Sequence, residues 1–524
     1  VTDWQQLEQQ REAEQCRLDA CKNAQERNRV GQFATPFALA REITQYVKTL
    51  RVDTASADAA GQTPIRFLEP SLGTGAFYSA LRTVFAPSEI ERATGIELDP
   101  QFAHAASQLW SATGLQVVQG DFTALTPDST FNLILANPPY VRHHHLAGEY
   151  KAVLQQNVEQ QLGYHLNGLA GLYCYFMLLA DRWLAEDGIG VWLVPSEFMD
   201  VNYGEALRRY LTERVTLLHV HRAQPKELQF KEALVSSAII VYRKGRPLAD
   251  HAVRFSLGGP LQAPIEEQSI PLERLATHRK WTQLATPIRS THIASASNVC
   301  FGDLFEIKRG IATGANEFFT LSRVEARRRK LPEAYLHPLL PSSRYLVDPI
   351  IAADEDGYPQ LPHQEVLLDC SLPLEQIKTR YPDLYAYLSE GEVRGLDKRY
   401  LATKRTPWYR QEQRPVAPFL CTYMGRELET RGPFRFFWNQ SQALVTNVYL
   451  MLYPTAALAA ALQTNKDLYA EVFQHLLAID FMHLMNEGRV YGGSLYKLEP
   501  RELSRVVLPS LASLASTARQ LSLF

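Results

Sequence analysis

The sequence predicts an α/β fold for its first half, a doubly wound parallel sheet, followed by a second region of mixed α+β character. Three observations lead there. Between residues 65 and 245, short β-rich apolar runs alternate with helical stretches, the pattern of strands joined by crossover helices. A glycine turn, "SLGTG", sits directly between the first of these strands and the next helix, where tight turning and close backbone approach are needed. Beyond about residue 246 the alternation stops, and aromatics, Arg, Pro and Gly become frequent and intermixed.

Taken in order, residues 1–30 are rich in Gln, Glu, Arg and Ala and read as a helical arm without a strong apolar face. "FATPFALAREITQYVKTL" gives a turn at Thr35-Pro36 and then an amphipathic helix with Phe37, Leu39, Ala40, Ile43 and Val47 on its apolar side. Strands follow at "IRFLEP", "RATGIELD", "LQVVQGD" and "FNLILANPP". "GLYCYFMLLADRWLAEDG" reads as one helix stopped by Gly188, and "IGVWLVPSEFM", "VTLLHVHR" and "LVSSAIIVYRK" as further strands. The domains expected are an arm over 1–30, a sheet domain over 31–245, a linker over 246–295 and a second domain over 296–524.

The totals narrow the class. A chain of 524 residues holds two to four domains by length, and its 46% hydrophobic and 21% charged content is that of a globular protein. A net charge of −2 excludes a global polycation, so a nucleic-acid partner would need a local basic surface. Six scattered cysteines without a Cys-x-x-Cys pair argue against disulfides or a zinc knuckle and fit a reducing cytoplasm. No apolar run is long enough to span a membrane, and the polar start does not read as a signal peptide. His143, His144 and His145 are adjacent in a loop and do not make a metal site, so none is expected.

The chemistry lies at the strand ends. Gly73 and Gly75 follow the first strand, Glu97 ends the second and Asp121 ends the third. Ligands of open α/β sheets sit across these ends, where one acid suits ribose hydroxyls and the next an adenine amine. The glycine spacing is that of neither a dinucleotide fingerprint nor a phosphate loop. An adenosine cofactor without pyrophosphate fits better, and Glu69 suits a sulfonium charge. The fourth strand then stops at Asn137-Pro138-Pro139-Tyr140. Prolines stop a strand because they lack an N–H. The Asn amide oxygen and the Pro138 carbonyl are two adjacent acceptors, able to hold both protons of an exocyclic amine while its lone pair attacks a methyl group. Tyr140 would offer a face for the base, which must leave a duplex to reach the site.

"LEPSLGTGAF", "GIELDP", "QGDF" and "NPPY", in that order and with "GQFATPFALA" upstream, resemble the S-adenosylmethionine-dependent DNA adenine-N6 methyltransferases of restriction–modification systems in their gamma arrangement. The resemblance covers roughly residues 25–245 with specific motifs and continues more weakly through "FGDLFEIKRGIATGANEFF" and "GRVYGGSLYKLEP". It implies a Rossmann-like methyltransferase sheet with a C-terminal target-recognition domain. Thr35, Pro36, Glu69, Gly73, Gly75, Glu97, Asp121 and Pro139 would contact S-adenosyl-L-methionine, and Leu98 and Phe122 would pack on its adenine. Asn137, Pro138 and Tyr140 would hold the target base, with Phe230 of "LQFKEALVSS" on its other face. Where the family often has Asp-Pro-Ala-Cys-Gly-Thr-Gly, this chain has Glu-Pro-Ser-Leu-Gly-Thr-Gly; the acid and both glycines stay.

The implied substrate is double-stranded DNA, bound by a monomer. A cognate restriction endonuclease would be a partner in the system without a stable complex. Arg399, Lys404, Arg405, Arg410, Arg414, Arg426, Arg431 and Arg435, interleaved with aromatics such as Trp408, Tyr409, Tyr423, Phe434, Phe436, Phe437 and Trp438, supply what a DNA-reading surface needs. The alternatives are a protein-glutamine or RNA methyltransferase using the same Asn-Pro-Pro-Tyr, a cytosine-N4 enzyme, and a non-catalytic DNA-binding specificity subunit. No acid–Lys cluster of a fused nuclease stands out.

Overall fold

In the computed structural model, which describes residues 4–55, 63–223, 236–285, 299–426, 432–491 and 495–507, each apolar run of the first half becomes a strand of one sheet. The strands are β1 (Ile65–Glu69), β2 (Ile90–Glu97), β3 (Leu115–Gln119), β4 (Phe131–Ala136), β5 (Leu184–Pro195), β6 (Val215–Arg222), β7 (Ser237–Lys244), β8 (Ala252–Leu257) and β9 (Glu266–Pro271). Their order is β3-β2-β1-β4-β5-β7-β6-β8-β9. The first five pair in parallel, and β7 runs antiparallel to both β5 and β6.

Both faces are covered by apolar helical faces, which is why β1 and β4 read as near-continuous hydrophobic runs. One face carries Ala40, Ile43 and Val47 of the helix Phe37–Ala55 and Ala80 and Leu81 of the helix Ala76–Val84, packed on Phe67 and Leu133. The other carries Tyr175, Met177 and Leu178 of the helix Leu172–Leu179, with Leu68, Ile134 and Trp192 in the same core. At roughly 2 kcal/mol per fully buried large side chain, these two layers dominate the stability of this unit.

Four expectations change. The segment ending at Gly188 is not one helix. The helix stops at Leu179, a short 3-10 turn carries the chain to Trp183, and β5 starts at Leu184 with Gly188 inside it. Asp187 takes a positive φ of 61° and the β4–β5 register shifts there, so a bulge absorbs the polar residues that looked like a helix end. The parallel winding reverses at β7, which runs antiparallel beside β5. Residues 246–295 are not simply a linker, because β8 and β9 extend the sheet within them. Their short alternating pattern has Val253, Phe255 and Ile270 buried and Glu267 and Arg254 paired outside. Finally, the arm is two helices, Trp4–Ala20 and Ala24–Val30, because Asn23 caps the second through a reciprocal box with Glu26.

The chain divides into two compact units close to residue 291. The second is mixed α+β. Its five-stranded sheet joins β10 (Phe305–Arg309), β11 (Ile350–Ile351), β12 (Phe419–Thr422), β13 (Phe436–Asn439) and β14 (Tyr449–Pro454) in the order β10-β14-β12-β13-β11. Helices Ala456–Thr464 and Leu468–Leu477 contribute Leu458, Leu462, Val472 and Phe473 to the core that holds Phe419 and Leu450. Among the described residues no helix is long and apolar enough to cross a membrane.

Candidate active site

The carboxyl ends of β1 to β4 open onto a cavity of about 400 Å³. Of the residues singled out from sequence, Thr35, Glu69, Gly73, Glu97, Leu98, Asp121, Phe122, Asn137 and Pro139 all stand on its wall. The strand order places the reversal between β1 and β4 under it, the usual site of a ligand in such sheets.

Each acid is held by groups the local sequence supplies. Glu97 accepts from the Gly73 N–H at 2.7 Å through Oε2 and from the Asp99 N–H at 2.8 Å through Oε1. Burial still raises its pKa above the ordinary carboxylate value. Glu69 is 2% exposed and accepts from the Tyr78 N–H at 3.1 Å, at the N-terminus of the helix Ala76–Val84. Burial raises its pKa well above the usual range, although the helix N–H groups and Arg11 act the other way. Asp121 accepts from Thr123 N–H and Oγ1 through Oδ1, and from the Tyr150 hydroxyl at 2.9 Å through Oδ2. Phe122 is buried against Phe176 and Trp183, whereas Leu98 is 67% exposed beside the cavity.

The Asn137 amide is the most tightly specified group. Its Nδ2 donates to the Phe33 carbonyl at 2.8 Å and to Thr35 Oγ1 at 3.1 Å. Its Oδ1 is shielded from solvent and has no hydrogen-bond partner among the described residues. A backbone carbonyl can only accept, so the amide orientation is set by chemistry rather than chosen. The Asn137 carbonyl accepts from Ser71 Oγ at 2.9 Å, tying the strand end to the glycine loop.

Other residues lie elsewhere. Pro36 is exposed off the cavity, and its carbonyl starts the helix Phe37–Ala55 by accepting from Ala40. Pro138 is buried between Asn137 and Pro139 and is not on the cavity wall. Gly75 is also off the wall: its φ is 87°, and a Cβ there would lie 2.7 Å from Trp110 Nε1, so it is needed for packing. Tyr140 is not an exposed ring. It is 7% exposed, packs at 5.6 Å from Phe33, and donates its hydroxyl proton to the Leu193 carbonyl at 3.0 Å. Its hydroxyl thereby ties the strand end to β5. Phe230 lies outside the described residues.

Sequence reasoning missed the wall contributed by the helix Trp4–Ala20. Arg11, Gln15 and, beyond its end, Lys22 reach the cavity. Arg11 pairs with Glu8 through Nε at 2.8 Å and Nη2 at 2.6 Å and donates Nη1 to Thr74 Oγ1 at 3.0 Å. Thr74 in turn donates to Gln15 Oε1 at 2.8 Å, and Ser79 donates to Glu8. The signal was present as a stripe: Glu8, Arg11, Gln15 and Leu18 recur at helical spacing and are the buried face. Three of the four are polar, so a search for apolar periodicity passes over them. Tyr150, Leu172 and Phe176 were also missed.

Part of the basic, aromatic stretch 399–435 is turned inward. Arg405 donates to the Thr313 and Ala312 carbonyls and Arg435 to those of Ser343 and Leu346. Arg399 and Arg414 pair with Glu317 and Glu412. Tyr409, Tyr423, Phe434, Phe436 and Phe437 are core residues. Lys404, Arg410 and Arg426 remain exposed, as does the ion-paired Arg399, and Arg431 lies outside the described residues.

The donor set suits a cofactor with an adenosine end and a cationic end. Glu97 and Asp121 stand at successive strand ends, Phe122 lines an apolar side, and a buried carboxyl at Glu69 lies beyond the glycine loop. Comparison with known proteins agrees. Residues 92–227 match the family described as Eco57I restriction-modification methylase, and residues 278–523 match the C-terminal domain of Type II methyltransferase M.Eco57I. Type II methyltransferase M.XamI of Xanthomonas campestris pv. amaranthicola is 28% identical over 93% of this chain and 86% of its own length. M.AccI of Acinetobacter calcoaceticus is 25% identical over 93% and 87%. Among solved structures, the Type IIL restriction-modification enzyme MmeI in complex with DNA shares the fold at a TM-score of 0.52 and 12% identity, over 90% of this chain and 64% of that one. The DrdV–DNA complex does so at 0.52 and 14%, over 94% and 57%; this chain thus spans about six-tenths of those longer proteins. These matches support a restriction–modification DNA methyltransferase similar to the Eco57I and M.Eco57I families, with S-adenosyl-L-methionine as its cofactor.

Proposed function

We propose that this enzyme methylates the N6 amino group of an adenine rotated out of double-stranded DNA, marking host sites in a restriction–modification system. The observation that carries the reading is the Asn137 amide, its nitrogen side filled by Phe33 and Thr35 and its buried oxygen unpaired, in a residue that lines the same cavity as Glu97 and Asp121. An amine brings two protons and an aromatic-conjugated lone pair. Asn137 Oδ1, with the Pro138 carbonyl beside it in sequence, accepts those protons and so frees the lone pair. S-adenosyl-L-methionine, when bound, supplies an electrophilic methyl group.

The chain's own residues do the rest by positioning. Glu97 is oriented by the Gly73 and Asp99 amides to receive hydroxyl donors, and Asp121 is held by Thr123 and Tyr150 with lone pairs to spare for an amine donor. Glu69, buried beyond the glycine loop, favours a cation once ionised. Duplex DNA as the substrate is supported by the Type II methyltransferase relatives. In the second unit, the exposed Lys404, Arg410 and Arg426 are the candidates for phosphate contact. We carry forward a monomer on DNA and a cognate endonuclease that shares the site without a stable complex.

The test is direct. Purified chain is incubated with S-adenosyl-L-methionine and duplex DNA, and the nucleosides are separated. N6-methyldeoxyadenosine is the expected product. N4-methyldeoxycytidine would move the chemistry to cytosine. Methylated RNA or protein glutamine with unmodified DNA would overturn the reading.

A further inference from the structure

We infer that Thr35 is a positioning residue for methyl transfer, acting with the Phe33 carbonyl to hold the Asn137 amide so that Oδ1, not Nδ2, faces the target amine. This rests on the reading of Asn137 as the acceptor for that amine, and it differs from the cofactor contact that resemblance implies for Thr35.

An asparagine amide has two orientations of nearly equal shape, related by a half-turn. For an incoming amine they are opposites: Oδ1 accepts its protons, whereas Nδ2 would set donor against donor. Something must break the tie. Here both Nδ2 protons are used, one at 2.8 Å on the Phe33 carbonyl and one at 3.1 Å on Thr35 Oγ1. Turning the amide over would aim Oδ1 at the Phe33 carbonyl, acceptor against acceptor. It would also place the NH₂ where Oδ1 now stands without a partner. Such an oxygen, desolvated and unpaired, is costly to the free enzyme and becomes useful only when a donor arrives.

The segment is itself held against the motif. The Gly31 carbonyl accepts from the Tyr140 N–H at 3.0 Å. Gly31 has a φ of 64°, and a Cβ on it would fall 2.4 Å from the Tyr140 nitrogen, so only glycine permits that approach. Residues 31–35 are therefore docked at both ends of Asn137-Pro138-Pro139-Tyr140: backbone to backbone at Tyr140, and side chain to side chain at Asn137. Thr35 is 8% exposed, which keeps water from replacing its hydroxyl.

The test uses Thr35→Val and Thr35→Ser in the full chain. Turnover is measured at saturating S-adenosyl-L-methionine and duplex DNA, and binding of S-adenosylhomocysteine by calorimetry. Thr35→Val keeps the shape but leaves one Asn137 proton without an acceptor. We expect kcat to fall roughly ten- to a hundredfold, the scale of losing one oriented group in a polar site, with product affinity within about threefold and KM for DNA little changed. Thr35→Ser restores kcat to within about threefold of the parent. Unchanged kcat in Thr35→Val overturns the proposal. So does a tenfold loss of S-adenosylhomocysteine affinity that accounts for the whole defect, since Thr35 would then be a cofactor ligand. A merely structural role is excluded if Thr35→Val and Thr35→Ser melt alike but differ in kcat. Failure of the underlying reading looks different: Asn137→Ala would then turn over like the parent.

Discussion

Two walls of one cavity bury charge in different ways. At the strand ends, Glu97 and Asp121 take most of their donors from groups within a few residues or on the adjoining turn, the Asp99 and Gly73 amides for one and Thr123 for the other, with Asp121 also accepting from the more distant Tyr150 hydroxyl. On the wall supplied by the helix Trp4–Ala20, Arg11 and the Glu8 behind it are satisfied by each other and by Thr74 and Ser79, more than sixty residues away. The first arrangement is written into short motifs, because the turn that places the acid also supplies its donors. The second exists only once a helix of polar sequence docks on the folded sheet. Its side chains are 4% and 12% exposed for Arg11 and Glu8, so it is an ion pair taken out of water. Such a pair adds little net stability but is costly to break. The difference teaches that a cofactor pocket can combine a self-sufficient motif with a wall that depends on tertiary docking.

The comparison can be broken at four points, the largest effect first. Asn137→Ala removes the unpaired acceptor, and kcat should fall by at least about a thousandfold. S-adenosylhomocysteine binding, read by calorimetry, should stay within about threefold because the strand-end acids are untouched. Loss of that binding would mean the amide belongs to the cofactor wall.

Arg11→Met leaves Glu8 buried without its cation and should cost about 3–5 kcal/mol in the first unit, read as an earlier transition by calorimetric melting. Adding Glu8→Gln should recover much of that. If the single and double variants melt alike, the two residues are not coupled.

Glu69 gives a pH signature. Burial raises its pKa, so the folded protein binds this proton more tightly than the unfolded chain does. Its contribution to stability is therefore full at low pH and lost as pH rises through the raised value. Cofactor binding runs the other way, because a sulfonium cation favours the ionised carboxyl. Affinity for S-adenosyl-L-methionine should rise with pH, by at most about tenfold per unit, while affinity for the uncharged S-adenosylhomocysteine sulfur changes less. Glu69→Gln should flatten the difference, and parallel pH profiles in the parent would remove Glu69 from the cationic end.

Tyr140→Phe is the mildest change. It deletes the hydrogen bond to the Leu193 carbonyl and should cost about 1 kcal/mol of stability, with kcat within about threefold if the hydroxyl only braces the motif. A large fall in kcat without destabilisation would instead put that hydroxyl in the reaction.

Much of the fold was legible because its signals are local. Apolar runs such as "FNLILA" need both faces covered, so they announce central strands of a parallel sheet. Gly73, Glu97, Asp121 and Asn137 could be placed together because each follows a strand of that sheet. The illegible parts share one cause: partners far away in sequence. Arg405 and Arg435 looked like surface charge until carbonyls about ninety residues off claimed them. Tyr140 looked exposed because a strand end gives no sign of which way the ring folds back. β8 and β9 were too short and too polar to be recognised before the edge strand β6 existed for β8 to pair with.

The sequence by itself determined the sheet and the gathering of Gly73, Glu97, Asp121 and Asn137 at its strand ends, since these follow from periodicity and from residues adjacent to the turns that hold them. Only the tertiary structure decided how the Asn137 amide is oriented, which wall the helix Trp4–Ala20 adds to the cavity, and which arginines face outward. Each of these depends on hydrogen bonds between groups many tens of residues apart, whose meeting is a property of packing and not of local pattern.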